Sequence, residues 1–370
     1  MSHRRSASVG AADLPFILLG LAQGRTPSAT RPPETGSQVR VQNQARSLGR
    51  YHLRMSEAAV MTVTGPMPAA ALGVVDAHDH LFLRTPALPG QEFDDLELST
   101  AEARAAHESG IGAVIEMTPI GCGRRPDLMR QLSEATGLPI VAATGYHRDA
   151  HYPDGHWVHS ASVETLAERI VADLERGMHP SDWTDPGLPL DEARAGAIKS
   201  GASYHHVTAS EGRRLEAAAI GSARTGAAIL VHTEVGTFGH EVVDLLTAAG
   251  VAPDRIILAH LDRNPDAELH AEIAARGVSL EYDTIGRIKY RPDSVLLDLV
   301  EAMVAAGHGE RVMLGMDLGR RDYLRSYGGG PGMRYLLDTF APRLRRRIGD
   351  AATDAILCAN PARAFAMRAS

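Results

Sequence analysis

From Val74 onward the chain repeats one pattern eight times: a short run of β-branched and apolar residues, then an amphipathic stretch rich in Ala, Leu, Glu and Arg. The runs are Val74–His78, Ala113–Met117, Ile140–Thr144, Ala197–Ser200, Ala228–His232, Arg255–His260, Val278–Tyr282 and Val312–Asp317. Val163–Arg176, Glu211–Arg224 and Asp293–Ala306 are clear examples of the stretches between them. Strands separated by helix-length segments lie parallel, because each crossover returns the chain to the same end of the sheet. Eight such units are the number that closes a barrel. No GxGxxG follows the first run, as an open dinucleotide-binding sheet would require. The expected fold class is therefore α/β, a (β/α)8 TIM barrel spanning residues 61–370.

Residues 1–60 lack this pattern. They are rich in Arg, Ser, Pro, Gln and Ala, with one short apolar island from Leu14 to Ala22, and residues 24–50 read as linker. Arg4-Arg5 ahead of the island resembles a weak secretory signal. Asp13 at its edge, and the lack of a small-residue cleavage site before Arg25, favour a disordered extension or a mis-assigned start, with the working protein beginning at Met55 or Met61. At 44% hydrophobic and 22% charged residues the chain can bury a core. No apolar run approaches the length of a membrane span. The formal net charge of −7 leaves no basic footprint for nucleic acid. Cys122 and Cys358 are too few and too far apart for a disulfide framework, which fits a reducing cytoplasm.

In a barrel the carboxyl ends of the strands meet at one rim. Strands buried on both faces should end apolar unless something at that rim needs polarity. Here the first run continues through His78 and His80, the fourth reaches Lys199, the fifth His232, the sixth His260 and the eighth Asp317. Side chains at i and i+2 of a strand point the same way, so His78 and His80 can grip one ion. Imidazole suits Zn, Co, Ni, Mn or Fe, and Asp317 would complete a mixed N/O shell. Lys199 stands out for another reason. Only two of the 38 basic residues, Lys199 and Lys289, are lysine. A chain this rich in arginine has a use for lysine where it needs an amine that can lose its proton, which a guanidinium cannot do.

Together, His78-x-His80, Lys199, His232, His260 and Asp317 resemble the ligand set of the phosphotriesterase family of the amidohydrolase superfamily. The resemblance runs from about residue 70 to the end. It includes Glu116-Met117-Thr118, Thr144-Gly145-Tyr146, Asp283-Thr284-Ile285-Gly286, Gly315-Met316-Asp317, Tyr327-Gly328-Gly329-Gly330 and Asn360-Pro361-Ala362-Arg363. The chain is similar in particular to the bacterial phosphotriesterase-like branch that includes lactonases, some acting on phosphorylated sugar lactones. The resemblance implies a dinuclear metal site at the C-terminal rim of the strands, with zinc as the first choice and manganese, cobalt or iron as alternatives. His78, His80 and Asp317 would hold one side and His232 and His260 the other. Lys199 would bridge the two ions as a carbamate formed with carbon dioxide. Burial and nearby cations both favour the neutral amine that this reaction needs. The family mechanism implied is attack on a carbonyl carbon by a hydroxide shared between the ions, with Asp317 taking its proton and passing it to the departing alkoxide.

Such a centre would also attack a phosphotriester, so the loops must choose the substrate. Tyr146 follows the third strand, where lactonases of this family place a tyrosine near the metals. Arg263 follows the sixth strand, Arg287, Lys289 and Tyr290 the seventh, and Arg320 and Arg321 the eighth. Barrels often hold phosphate on the loops after strands seven and eight, and an arginine fork matches phosphate or carboxylate. The expected substrate is a small anionic molecule, a lactone and in particular a phosphorylated sugar lactone. An acyl-homoserine lactone or an organophosphate triester is the alternative within hydrolases, but such pockets are largely apolar. A binding module on a decayed barrel is the non-enzyme alternative, and the intact ligand set argues against it. His147, His151, His156 and His159 read as a lid rather than as ligands, and Glu116 as a residue that orients a neighbour. The Gly328–Gly330 run reads as a tight turn or an anion-binding helix start. The resemblance implies a homodimer, although these residues reveal no interface.

Overall fold

The computed structural model describes residues 58–368. The chain enters through an antiparallel hairpin, β1 (Ala59–Thr62) and β2 (Gly65–Pro68). Eight parallel strands follow: β3 (Val74–Asp79), β4 (Ile111–Glu116), β5 (Ile140–Gly145), β6 (Ala197–Ala202), β7 (Ile229–Thr233), β8 (Ile256–Ala259), β9 (Ser279–Tyr282) and β10 (Val312–Leu314). Each bonds to the next in chain order. The helices between them are α1 (Leu96–Glu108), α2 (Pro126–Thr136), α3 (Val163–Glu175), α4 (Ala209–Thr225), α5 (Gly239–Ala248), α6 (Ala267–Ala275) and α7 (Asp293–Ala305), and α8 (Ala341–Ile348) follows β10. Asp95, Ser162 and Asp266 cap the first turns of α1, α3 and α6. Thr208 and Glu211 form a reciprocal capping box on α4. Among the described residues no helix is long and apolar enough to cross a membrane.

Alternate residues of the strands, among them Val75 and Ala77, Ala113 and Ile115, Val141 and Ala143, and Ile257 and Ala259, join in one buried cluster. That spacing is the period of a strand. The cluster extends into Val60, Leu72 and Phe365, so the hairpin and the chain's last helical turn are part of the core. Asn360 donates to the carbonyls of Gly309 (2.9 Å) and Val312 (2.7 Å), Arg255 to that of Ala366 (2.7 Å), and the Met367 N–H to Ala59 (2.9 Å). These ties plug the barrel where its strands begin, opposite the rim that carries the polar residues.

The barrel closes between β10 and β3 without a strand ladder. The N–H groups of Met316 and Asp317 donate to the His78 carbonyl at 3.1 and 2.7 Å. Asp76 accepts from the Met316 N–H (3.1 Å) and Asp79 from the Leu318 N–H (2.9 Å). A Cβ on Gly315 would lie 2.7 Å from the His78 nitrogen, so this close approach needs glycine.

The strand bounds follow the expected runs, with two informative departures. The sixth and eighth runs were expected to continue through His260 and Asp317, yet β8 stops at Ala259 and β10 at Leu314. His260 (φ +66°) and Asp317 (φ +43°) adopt the left-handed conformation that side chains other than glycine avoid. Both therefore leave the line of their strands. At the other end, Ala59 and Val60 belong to β1 and are buried. The barrel domain thus takes in Ala58, Ala59 and Val60 of the expected 1–60 extension, while residues 1–57 lie outside the described residues.

Candidate metal centre and cavity

His78, His80, Lys199, His232, His260 and Asp317 all line one cavity of about 190 Å3 at the carboxyl rim. The Nε2 atoms of His78 and His80 lie 3.7 and 3.3 Å from Asp317 Oδ1. These three ligand atoms, drawn from both sides of the β3–β10 closure, are within reach of a single ion. Lys199 Nζ is 3.2 Å from His78 Nε2. The His232 and His260 rings stand 4.5 Å apart at 73°, and the His260 ring is 5.2 Å from that of His78.

Behind the rings, carboxylates fix which nitrogen faces the cavity. His78 Nδ1 is 3.0 Å from Glu281 Oε2, and His260 Nδ1 is 2.8 Å from Asp283 Oδ1. Thr118 donates to Glu116 (2.6 Å) and so accepts from His80 Nδ1 (2.8 Å). An acceptor on Nδ1 keeps the proton there and leaves the Nε2 lone pair for an ion. Glu116 thus orients a ligand through Thr118. Asp283 also comes within metal-ligand reach of His78 and His260. Its oxygens already hold the His260 ring and backbone N–H (3.0 Å) from behind, so orientation is its role. Neither Glu281 nor Asp283 was singled out from the sequence. The available signals were an acid inside a buried strand and the Asp of Asp283-Thr284-Ile285-Gly286.

Burial sets the charge of this site. It pushes the His78 pKa down to about 3, helped by Lys199, and that of His260 down to about 4, helped by Arg263. Burial, with His260 beside it, also holds His232 well below its usual range. These rings are neutral at neutral pH, as ligands must be. Burial lowers Lys199 to about 8, bringing its neutral amine within reach. For Asp317 burial acts the other way, but Arg287 and His260 outweigh it and hold the carboxyl well below the usual carboxylate range. Convergent Nε2 and carboxylate donors, neutral imidazoles and a lysine poised to lose its proton fit a pair of divalent cations.

The rim residues divide into three groups. Arg263 and Arg287 reach the cavity but are committed to Asp317 Oδ2, at 2.8 and 2.9 Å. Lys289, Tyr290 and Arg320 line the cavity, and among the described residues no carboxylate pairs with Lys289 or Arg320. Lys289 Nζ lies 4.9 Å from the Tyr290 ring centre and 5.2 Å from that of Tyr323. The third group is not brought to the cavity. Tyr146 is fully buried, its hydroxyl donating to the Leu166 carbonyl at 3.1 Å. Arg321 is exposed beside the Tyr327 ring.

At the end of β5, Gly145 takes φ +88° against the Lys199 carbonyl. Beyond this turn it is His147, not Tyr146, that lines the cavity, stacked on His151 with ring centres 3.4 Å apart. The expected lid thus does supply His147 and His151 to the cavity wall, but their loop position without ligand spacing does not reveal which of the four histidines reach it. Glu234 Oε2 meets His232 Nε2 at 2.7 Å and Arg148 at 3.0 Å on the same wall. The glycine run folds back as a tight turn, Gly330 N–H donating to the Asp322 carbonyl at 2.9 Å, and starts no helix.

The model of the phosphotriesterase family matches residues 58–365. A phospho-furanose lactonase of Mycoplasmopsis synoviae is 32% identical over 323 residues, covering 82% of this chain and 91% of the relative. Among solved structures, an amidohydrolase from Mycoplasma synoviae superposes with a TM-score of 0.80 at 30% identity, over 85% of this chain and 93% of that one. The phosphotriesterase homology protein of Escherichia coli, solved with phosphate in its active site, superposes with a TM-score of 0.72 at 32% identity, over 80% and 99% of the two chains.

Proposed function

The chain belongs to the phosphotriesterase family, and on that footing we propose that it is a metal-dependent hydrolase that opens a lactone, with phosphorylated sugar lactones as its substrate class. The observation that carries the substrate class is the pair Lys289 and Arg320, two cations on the cavity wall with no carboxylate partner among the described residues. A cationic wall left unpaired calls for an anion from outside the protein. The phosphate in the active site of the Escherichia coli homology protein and the name of the Mycoplasmopsis synoviae lactonase point the same way.

His78, His80 and Asp317 would hold one divalent cation and His232 and His260 the other, with Lys199 joining them as a carbamate, which its lowered pKa favours. Two such ions, zinc first, supply Lewis acidity and ease the deprotonation of water at neutral pH. The remaining chemistry belongs to side chains. Asp317 takes a proton from the attacking water and delivers it to the ring oxygen as the C–O bond breaks. Arg263 and Arg287 clamp its Oδ2, which turns Oδ1 towards His80 and the cavity. Lys289 and Arg320 hold the phosphate, placing the lactone carbonyl over the histidines.

The test is proton release by protein reconstituted with zinc and bicarbonate, against lactones with and without phosphate and one phosphotriester. Fast release with phosphorylated sugar lactones is expected, together with about two metal ions per chain. Preference for long-chain acyl lactones or for the triester would overturn the substrate class, and a chain that takes up no metal would overturn the hydrolase.

A further inference from the structure

One wall of the cavity has no task in this reaction. His147 lines it, 8% exposed, with its ring 4.7 Å from that of His232. The Arg148 N–H donates to His147 Nδ1 at 2.8 Å, so Nδ1 carries the lone pair and the ring proton sits on Nε2. Nε2 has no hydrogen-bond partner among the described residues. The ring is held firmly in place. Its backbone N–H donates to the Tyr152 hydroxyl (2.8 Å), its carbonyl accepts from the buried Arg214 (2.7 Å), and His151 stacks on it at an interplanar angle of 18°. Of the other cavity donors, Arg263 and Arg287 are bonded to Asp317, and Lys289 and Arg320 are assigned to the phosphate. A fixed, neutral N–H donor thus lines the cavity beside His232, with no acceptor for it among the described residues.

We propose that His147 is a catalytic residue whose Nε2–H donates to the carbonyl oxygen of the bound lactone, a bond that strengthens as this oxygen takes up charge. The assignment rests on the lactone-hydrolase reading. Water gives one proton to solvent, and its oxygen bonds to the carbonyl carbon while the π pair moves onto the oxygen facing His147. Collapse restores the carbonyl and breaks the ring C–O bond. The second water proton passes through Asp317 to the ring oxygen, leaving a hydroxy carboxylate. His147 keeps its own proton throughout, as a neutral imidazole does when it polarises a carbonyl.

His147→Phe keeps a ring against His151 and removes the donor, whereas His147→Gln restores an N–H. With reconstituted enzyme we expect kcat to fall by about 10²–10³-fold in H147F, with KM within a few-fold, metal content unchanged and partial recovery in H147Q. Imidazole 15N spectra of the metal-free protein should place the His147 proton on Nε2. Wild-type kcat in H147F, a loss confined to KM, a loss that tracks metal content, or a proton on Nδ1 would each overturn the assignment. Failure of the wild-type enzyme on every lactone would instead overturn the underlying reading, and the spectra report on His147 either way.

Discussion

Asp317 meets two guanidinium groups at one oxygen and two imidazoles at the other. Its carboxylate both anchors the cationic rim and faces the candidate metal ligands. Asp317→Asn should leave the far-ultraviolet circular dichroism unchanged and lower kcat by about 10²–10⁴-fold; wild-type turnover would remove Asp317 from proton transfer. Lys289→Ala should raise KM for a phosphorylated lactone by about 10–100-fold, the worth of one charged hydrogen bond, and leave an unphosphorylated lactone unaffected. An equal loss on both substrates would count against a phosphate grip. The convergence of histidines, lysine and aspartate could be read from the sequence because strand ends share a rim whatever the loops do. The work of the arginines could not. Nothing in the spacing of Arg263, Arg287 and Arg320 says that the first two reach across to a carboxylate and the third does not.

At the scale of elements, single backbone turns decide what faces the cavity. The positive-φ Gly145 that ends β5 exchanges Tyr146 for His147, an exchange set by one φ angle that the residue types on either side do not announce. Tyr146 instead ties β5 to α3 through Leu166. Tyr146→Phe should therefore cost about 1 kcal/mol of stability in a denaturant titration and leave kcat alone; a large fall in kcat would restore Tyr146 to the site. Helix α6 docks on β9 through His270, whose Nδ1 is 2.9 Å from the Tyr282 hydroxyl. Burial lowers the His270 pKa to about 4 from 6.5. The folded state thus binds fewer protons than the unfolded chain between these values. Its contribution, up to about 3 kcal/mol, is complete above pH 6.5 and lost as pH falls towards 4. His270→Gln should flatten the decline of stability across that window, and an unchanged decline would show that His270 does not contribute to it.

For the molecule as a whole, eight alternating units predicted the barrel well, because periodicity and burial are collective signals that survive local irregularity. The plug at the opposite end contains Asn360-Pro361-Ala362-Arg363, a stretch whose purpose is not legible in the sequence. Its role depends on contacts to Gly309 and Val312, some fifty residues away. Asn360→Ala should cost about 1–3 kcal/mol, since the buried Val312 carbonyl and the part-buried Gly309 carbonyl lose their donor. A shift below about 0.5 kcal/mol would show that the plug holds without it. The closure between β3 and β10 has a further consequence in terms of chain entropy. Asp76 and Met316 are 240 positions apart, and no ladder joins their strands. An ion held by His78, His80 and Asp317 would tie the same two ends, and because the unfolded chain must close a very long loop to gather these ligands, its binding free energy would go to the folded state alone. The site that performs the chemistry would then also add to the hydrogen bonds that fasten the sheet into a ring.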